Sequence, residues 1–479
     1  MKQAEKSRHL ESLERYVENL GGASLDAIDL ASRLKSLYIS FIESNPGNLG
    51  VTELKLIVNS FANIDELYFK NVLSRVISEE EHSLLISAIG NFGQYLSNLF
   101  QSYSQDLGNY RSRSISNVLF VIKGPFSLAH MSFVKSFTLG WLSCKDRHID
   151  LRFVFLDDKI PSEIKHLSHD LTRFTTFGKM LSLKKIISQY CIGTIIWPSV
   201  AQHVSLYLGS RFTDQQILWS ARYRNHLFDS IDKYFFGARQ VPQSINYNGC
   251  EWRYGKFYVA EWKDMNVINT ETVVDSLKDS QLMQFLERKK SQGFVLAATI
   301  STGRKMKSRA FQELILSLII NLPNLYYFYT SHDEGCALEK LLRSNGFSNR
   351  FKRIIWIDAM SPVLKKFDLI LDSFPVGASH ALCYALQSNT PFISLVTEQN
   401  LKSSLLETVI PTAAEKKLDL TKLGFLSSNT QYFEYAQALL HKSNDGLRSS
   451  LLERQKNCIT SLLNNKSGMY SDFESHILS

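Results

Sequence analysis

Two loops and two histidines hold the residue types that could do chemistry. The first loop, Ser301-Thr-Gly-Arg-Lys-Met-Lys307, follows an apolar run and precedes a helix-like stretch. A loop so placed can cradle phosphates with backbone N–H groups such as that of Gly303, the Thr302 hydroxyl, and a lysine, Lys305 or Lys307. Cations beside a helix N-terminus oppose its dipole by some tenths of a kcal/mol. Arg304, Lys305 and Lys307 together therefore point to an anionic ligand. The second loop, Ser373-Phe-Pro-Val-Gly-Ala378, joins the apolar run Leu369 to Leu371 to a helix over Ser379 to Gln387. Ser379 reads as the N-cap, and His380 at that helix start is in position to touch a phosphate. His130 and His226 offer imidazoles that titrate near neutral pH and can serve as general bases. Each feature also has a plainer reading, as solvated lysines at a helix start or as ordinary surface and core histidines. No spacing of Cys, His or carboxylates builds a metal site, and no resident cofactor is called for.

These loops need elements to hold them. Asn389-Thr-Pro391 stops the helix after the second loop, and Phe392-Ile-Ser-Leu395 begins another strand, which completes a β-loop-α-β unit. Its loop falls at the carboxyl end of a sheet, where open α/β proteins bind ligands. Further apolar runs, Gly293 to Thr299, Leu325 to Tyr329 and Arg353 to Ile357, predict the rest of this sheet. An earlier series begins at Asn117 to Ile122 and continues with Asp150 to Leu156, Ile192 to Trp197, Gln216 to Trp219 and Ile231 to Phe236. The segment from Ser127 to about Trp141 between the first two reads as a helix, so the unit is βαβ and the sheet parallel. Asn246 to Gly255 reads as turns and a hairpin. Residues 1–112 carry helical patterning with no strand, which fits an all-helical domain that binds a partner or acceptor, or a structural cap on the next domain. The expected fold class is α/β, with two Rossmann-like domains after an all-helical N-terminal domain. The expected divisions are 1–112, 113–255, a linker over 256–290, and 291–455.

The bulk properties are those of an ordinary water-soluble globular chain. Of 479 residues, 44% are hydrophobic and 21% charged, which leaves room for two or three domains. A net charge of +8 is a mild basic bias at this length; it suits an anionic substrate and does not call for nucleic acid. The six cysteines form no CxxC pair and read mostly as buried thiols. The charged N-terminus has no apolar signal-peptide core, and no run is long enough to span a bilayer; a cytoplasmic protein is expected.

One stretch carries a resemblance. Asp372-Ser-Phe-Pro-Val-Gly377, followed by a helix that exits through Ala385-Leu386 to Pro391, resembles the donor-site segment of GT-B glycosyltransferases. It is most similar to glycosyltransferase family 41, which holds the O-GlcNAc transferases and the bacterial cytoplasmic N-glucosyltransferases of adhesins. Phe374, Pro375 and Gly377 match the bacterial segment, roughly FPFGNTNGIVD; Ala378, Ser379 and His380 replace its Asn/Thr pair, and Tyr384 its ribose-binding carboxylate. In the first half, the order of a strand ending in Trp197-Pro-Ser199, a helix, a short strand and a loop containing His226 before Ile231-Asp232 is similar too, without the family's Gly-His-Pro.

The resemblance implies a GT-B fold, a C-terminal helix over 456–479 that crosses back to the first domain, and inverting, metal-independent transfer from a UDP-sugar to a protein side chain or glycan. It implies donor contacts at Lys305 or Lys307, Gly377, Ser379, His380, Ala381 and Tyr384, with Glu398 in place of the missing carboxylate and His130 or His226 on the acceptor side. Two other readings stand beside it: a catalytically silent GT-B-like protein that binds or stabilises a partner, supported by the losses at Ala378, Ala381 and Tyr384, and a sugar epimerase of GT-B shape.

Overall fold

The computed structural model describes residues 32, 35–36, 39, 50–72, 79–104, 113–123, 134, 137–138, 141–142, 144, 146–199, 205–220, 228–237, 244–247, 250–255, 277–301, 303–331, 335–355, 357, 360–375, 377–397, 409, 413, 417–460 and 469–478. The first sheet contains β1 (Ser114–Ile122), β2 (Asp150–Phe155), β3 (Ser168–Asp170), β4 (Ile192–Ser199), β5 (Gln215–Ser220), β6 (Lys233–Gly237), β7 (Ser244–Tyr247) and β8 (Cys250–Gly255). Their spatial order is β3-β2-β1-β4-β5-β6-β8-β7, and every pairing is parallel except that of β7 with β8. The hairpin foreseen at 246–255 is thus the edge of this sheet.

Central strands of a parallel sheet are covered on both faces, which explains the unbroken apolar run Val118 to Ile122. Its alternate residues serve different cores. Leu119 and Val121 pack under α1 (Val51–Val72), α2 (Glu79–Tyr103) and α3 (Thr176–Gln189), against Phe61, Phe92, Phe100 and Met180. Val118, Phe120 and Ile122 face the other way, toward Phe137, Trp141 and Phe473. The described parts of α1 and α2 therefore lie as a layer on the first sheet and share its core. At the sheet's amino edge, Gly193 lets β4 approach β1: a Cβ there would meet the Ser114 carbonyl oxygen at 2.3 Å.

The second sheet contains β9 (Val295–Thr299), β10 (Leu325–Thr330), β11 (Phe351–Ile354), β12 (Leu369–Leu371), β13 (Phe392–Leu395) and β14 (Phe425–Leu426). Its order is β11-β10-β9-β12-β13-β14, parallel throughout. The helix α4 (Leu277–Ser291) begins inside the stretch expected as linker, and its Leu282 and Leu286 are buried in the second core. The helices α5 (Arg309–Asn321), α6 (Ala337–Ser344), α7 (Met360–Leu364), α8 (Ser379–Gln387), α9 (Asn429–Leu440) and α10 (Asp445–Gln455) complete the layers. Finally α11 (Met469–Leu478) returns to the first sheet, where the Phe473 ring stacks 4.3 Å from Trp219 and the Glu474 carboxylate accepts the His148 N–H at 2.9 Å. Burying a phenylalanine is worth about 1.5–3 kcal/mol, enough to anchor a ten-residue helix.

Two expectations need correction. Only Cys383 and Cys458 are buried; the other four cysteines are partly exposed, and all six are free thiols. Ser379 is the first residue of α8, and Ala378 stands at its N-cap, where it has no side chain to offer. Among the described residues, no helix is long and apolar enough to cross a membrane.

Candidate functional site

In both sheets the first strand in sequence lies inside the sheet, and the chain crosses to its far side only at the fourth strand of the series, so strand order reverses beside β1 and beside β9. Open α/β sheets bind ligands at the carboxyl ends of strands beside such a reversal. In the second sheet that place is between β9 and β12, and the two loops singled out in the sequence leave the sheet there.

The first loop starts with Ser301, which is fixed from β10. Its N–H donates to the Thr330 hydroxyl oxygen at 2.8 Å, and that hydroxyl donates to the Ser301 carbonyl at 2.6 Å. A 3-10 turn follows over Gly303–Met306. The buried Met306 anchors its end, and its carbonyl accepts from Gln312 of α5 at 2.9 Å. Ser308 caps α5, accepting the Phe311 N–H at 3.4 Å. The turn is pinned on both sides, which aims Lys305 at the second loop.

The second loop is built on Asp372, at the end of β12 and almost wholly buried. One carboxylate oxygen accepts the Ala378 N–H at 2.8 Å and the other accepts the Ser394 hydroxyl at 2.7 Å. Its backbone carbonyl accepts the Tyr432 hydroxyl at 2.9 Å. The Ser373 hydroxyl donates to the Ser301 hydroxyl oxygen at 3.1 Å, which ties the two loops together. The bond between Phe374 and Pro375 is cis, the Phe374 ring packs edge-on against Phe311 at 5.2 Å, and the Pro375 carbonyl accepts the Thr397 hydroxyl at 2.8 Å. Where the loops meet, Lys305 Nζ donates to the Gly377 carbonyl at 2.5 Å.

Electrostatically, burial pushes the Asp372 carboxyl up to about 6, although its hydrogen bonds and the Lys305 charge pull it down. The first turn of α8 turns its backbone N–H groups toward this corner, since no carbonyl of the helix can satisfy them. A lysine ammonium, a pinned glycine-containing turn and a helix N-terminus at one strand reversal form an arrangement that can hold a diphosphate.

The structure brings Lys305 onto Gly377, with Gly303 at the start of the same turn as the lysine. Lys307, the alternative lysine, is exposed one residue beyond the turn. Ala381 and Tyr384 lie on α8 partly buried against the second core, and burial together with Cys383 pushes the Tyr384 hydroxyl up to about 12. Ser379 and His380 are the first two residues of α8; nothing is described of their side chains. Thr302, Glu398, His130 and His226 lie outside the described residues. Sequence reasoning missed the anchors: Asp372, Ser373, Ser301, Thr330 and Ser394. One signal was available for Asp372, a carboxylate that directly ends a short apolar run, where a strand leaves the core.

No protein-family model matches the chain, and no curated protein does. Solved structures do. An O-GlcNAc transferase of Thermobaculum terrenum, studied as a point mutant, superposes with a TM-score of 0.53 at 12% identity, over 98% of this chain and 97% of that one. A glycosyltransferase of Rickettsia africae gives 0.49 at 10% identity, over 77% of this chain and all of its own. The UDP-GlcNAc 2-epimerase of Neisseria meningitidis, solved with UDP-GlcNAc, gives 0.43 at 11% identity, over 76% of this chain and 98% of its own. With its two Rossmann-like sheets and the first of these likenesses, the chain has the GT-B fold.

Proposed function

We propose that this chain is a glycosyltransferase, inverting and metal-independent, that holds a UDP-sugar at the second sheet and transfers the sugar to a protein side chain or a glycan in the cytoplasm. The observation that carries the proposal is the junction of Lys305 with Gly377 at the β9/β12 strand reversal. Leaving-group departure puts negative charge on the diphosphate. A lysine and backbone N–H groups already aimed at that place stabilise the charge without reorganising when it forms. In this reading Lys305 and the α8 amides of Ser379, His380 and Ala381 hold the diphosphate. Thr302 and Gly303 line the first loop, and Tyr384 and Glu398 border the ribose. His130 or His226 takes the acceptor proton from the first domain's side.

A second reading has one observation in its favour. Tyr384 stands where the resembling family has a carboxylate, and its hydroxyl stays protonated, with its pKa pushed up to about 12. That change fits a catalytically silent GT-B-like protein that binds a partner. The deciding experiment measures UDP released from a panel of UDP-sugars, with cell lysate as the source of acceptors. Transfer of one sugar supports the enzyme; tight UDP binding without hydrolysis or transfer of any sugar supports the silent protein.

A further inference from the structure

The second loop crosses from β12 to α8 without a capping side chain of its own, since Ala378 occupies the N-cap. A buried carboxylate outside the helix instead accepts the N–H of the N-cap residue itself. Both oxygens of Asp372 are engaged, one by the Ala378 N–H at 2.8 Å and one by the Ser394 hydroxyl at 2.7 Å, and these two partners belong to opposite ends of the β-loop-α-β unit. The bond to Ala378 fixes the residue directly after Gly377, whose carbonyl meets Lys305 Nζ at 2.5 Å. The bond to Ser394 fixes the same carboxylate to β13. Burying a carboxylate is costly unless its hydrogen bonds are made, and a buried apolar residue would have filled this position without that cost. The geometry is that of a bracket: sheet on one side, loop on the other, and the lysine at the loop's tip.

We infer that Asp372 is the positioning residue of the diphosphate site: its carboxylate holds the loop between β12 and α8 against β13 so that the Gly377 carbonyl seats the Lys305 ammonium. This rests on the reading of the corner as a UDP-sugar site. In this role Asp372 acts through the loop rather than by contact with the ligand. Among the described side chains, the charged and titratable groups that face it are Lys305 from the first loop and Tyr432 from α9, with Tyr327 of β10 beyond Tyr432. Both tyrosines are held protonated by burial, so Lys305 is the one charge in this set. When Asp372 takes up a proton, one of its oxygens becomes a donor, and either the Ser394 hydroxyl reverses its bond or the Ala378 N–H, which can only donate, gives its bond up.

The test is calorimetric titration with a UDP-sugar, whose doubly esterified diphosphate does not titrate in the range of interest. It compares wild type, Asp372→Ala, Asp372→Asn, Lys305→Ala and the Asp372→Ala/Lys305→Ala double variant, with a thermal melt of each. Asp372→Ala is expected to weaken binding on the order of tenfold, the loss of a charge-assisted hydrogen bond. The double variant is expected to bind no more weakly than Lys305→Ala alone, because the aspartate acts through the lysine's seat. Wild-type affinity is expected to fall as pH drops through about 6, and that of Asp372→Asn, which folds with an isosteric side chain, to stay flat. If both Asp372 variants bind as the wild type does while Lys305→Ala is weakened, the positioning role is overturned and the UDP-sugar reading stands. If the two losses add in the double variant, or the pH response persists in Asp372→Asn, the role is likewise overturned. A wild type that binds no UDP-sugar overturns both.

Discussion

The first six strands of each sheet share one order, yet the described polar network buried in the first sheet gathers at its amino edge, whereas the second sheet builds one at its carboxyl edge. In the first sheet, Thr194, Ser210, Thr213, Gln216 and Ser230 are buried at or before the starts of β4, β5 and β6. Gln216 is their hub: its amide donates to the carbonyls of Ser210 at 3.0 Å and Ser230 at 2.8 Å, and its oxygen accepts the Phe212 N–H at 3.0 Å. Asp232 closes the same edge, accepting the Gln216 N–H at 2.7 Å and two bonds from Arg211. In the second sheet, Thr299, Ser301, Asp372, Ser373 and Ser394 are buried at the carboxyl ends of β9, β12 and β13. Amino-edge polar networks stitch turns together; carboxyl-edge networks hold loops where ligands bind. Among the described residues, the second sheet buries such a network at its carboxyl edge as well as Ser388 and Thr390 ahead of β13, which fits the donor side proposed above. The stretches after β1 and β5, with His130 and His226, lie outside those residues.

The largest expected effect probes that other edge. If an acceptor base follows β1 or β5, His130→Ala or His226→Ala should lower transfer by about 10²–10⁴-fold and leave UDP affinity unchanged. Both variants retaining full rates would remove the histidines and leave the first sheet without an assigned group. Next, Gln216→Ala should destabilise the protein by about 3 kcal/mol, since it strands two carbonyls and one N–H in the core. A denaturant titration reads this loss, and UDP affinity of the folded fraction should not move. A drop in affinity would blur the division between the edges.

The third effect is a pH dependence of stability. Asp372 is raised from 3.8 to about 6 in the fold, so the folded state holds its proton more tightly than the unfolded chain. The stabilisation is full below the unfolded value and is lost as pH rises through about 6, worth about 3 kcal/mol in all. Unfolding curves of wild type against Asp372→Asn across this window should show that difference growing with pH; parallel curves would mean the carboxyl is not buried as described. The smallest effect is on binding. Lys305→Ala should weaken UDP by about 1.5–3 kcal/mol and cost about 1 kcal/mol of stability from the Gly377 carbonyl it leaves, less than Gln216→Ala costs. Lys307→Ala, at an exposed position, should change affinity by less than about 0.5 kcal/mol; a larger loss would transfer the diphosphate role to it.

How much of this was legible beforehand varies by residue. The runs Val118 to Ile122 and Val295 to Thr299 announce themselves because a strand buried on both faces must be apolar throughout. The loops at 301–307 and 373–378 could be read because such runs end there and helices begin. β3, with the sequence Ser168-His-Asp170, and the two-residue β14 carry no pattern; they are strands because β2 and β13 offer them a ladder. Ser379 looked like the cap of α8 because serine favours that place locally. The structure gives the place to Ala378, whose own N–H is held by the Asp372 carboxylate six residues back in the chain.

The sequence by itself determined the two parallel series, the places where their loops leave, and the basic character of the loop around Lys305. These follow from hydrophobic period and local charge, which adjacent residues settle among themselves. Only the tertiary structure decided which lysine faces the second loop, that α1 and α2 share the first sheet's core, and that a buried aspartate brackets the site. Each of these depends on residues brought together from far apart in the chain, Lys305 with Gly377, Leu54 with Leu119, Asp372 with Ser394, and a contact of that kind has no signature in either partner's neighbours.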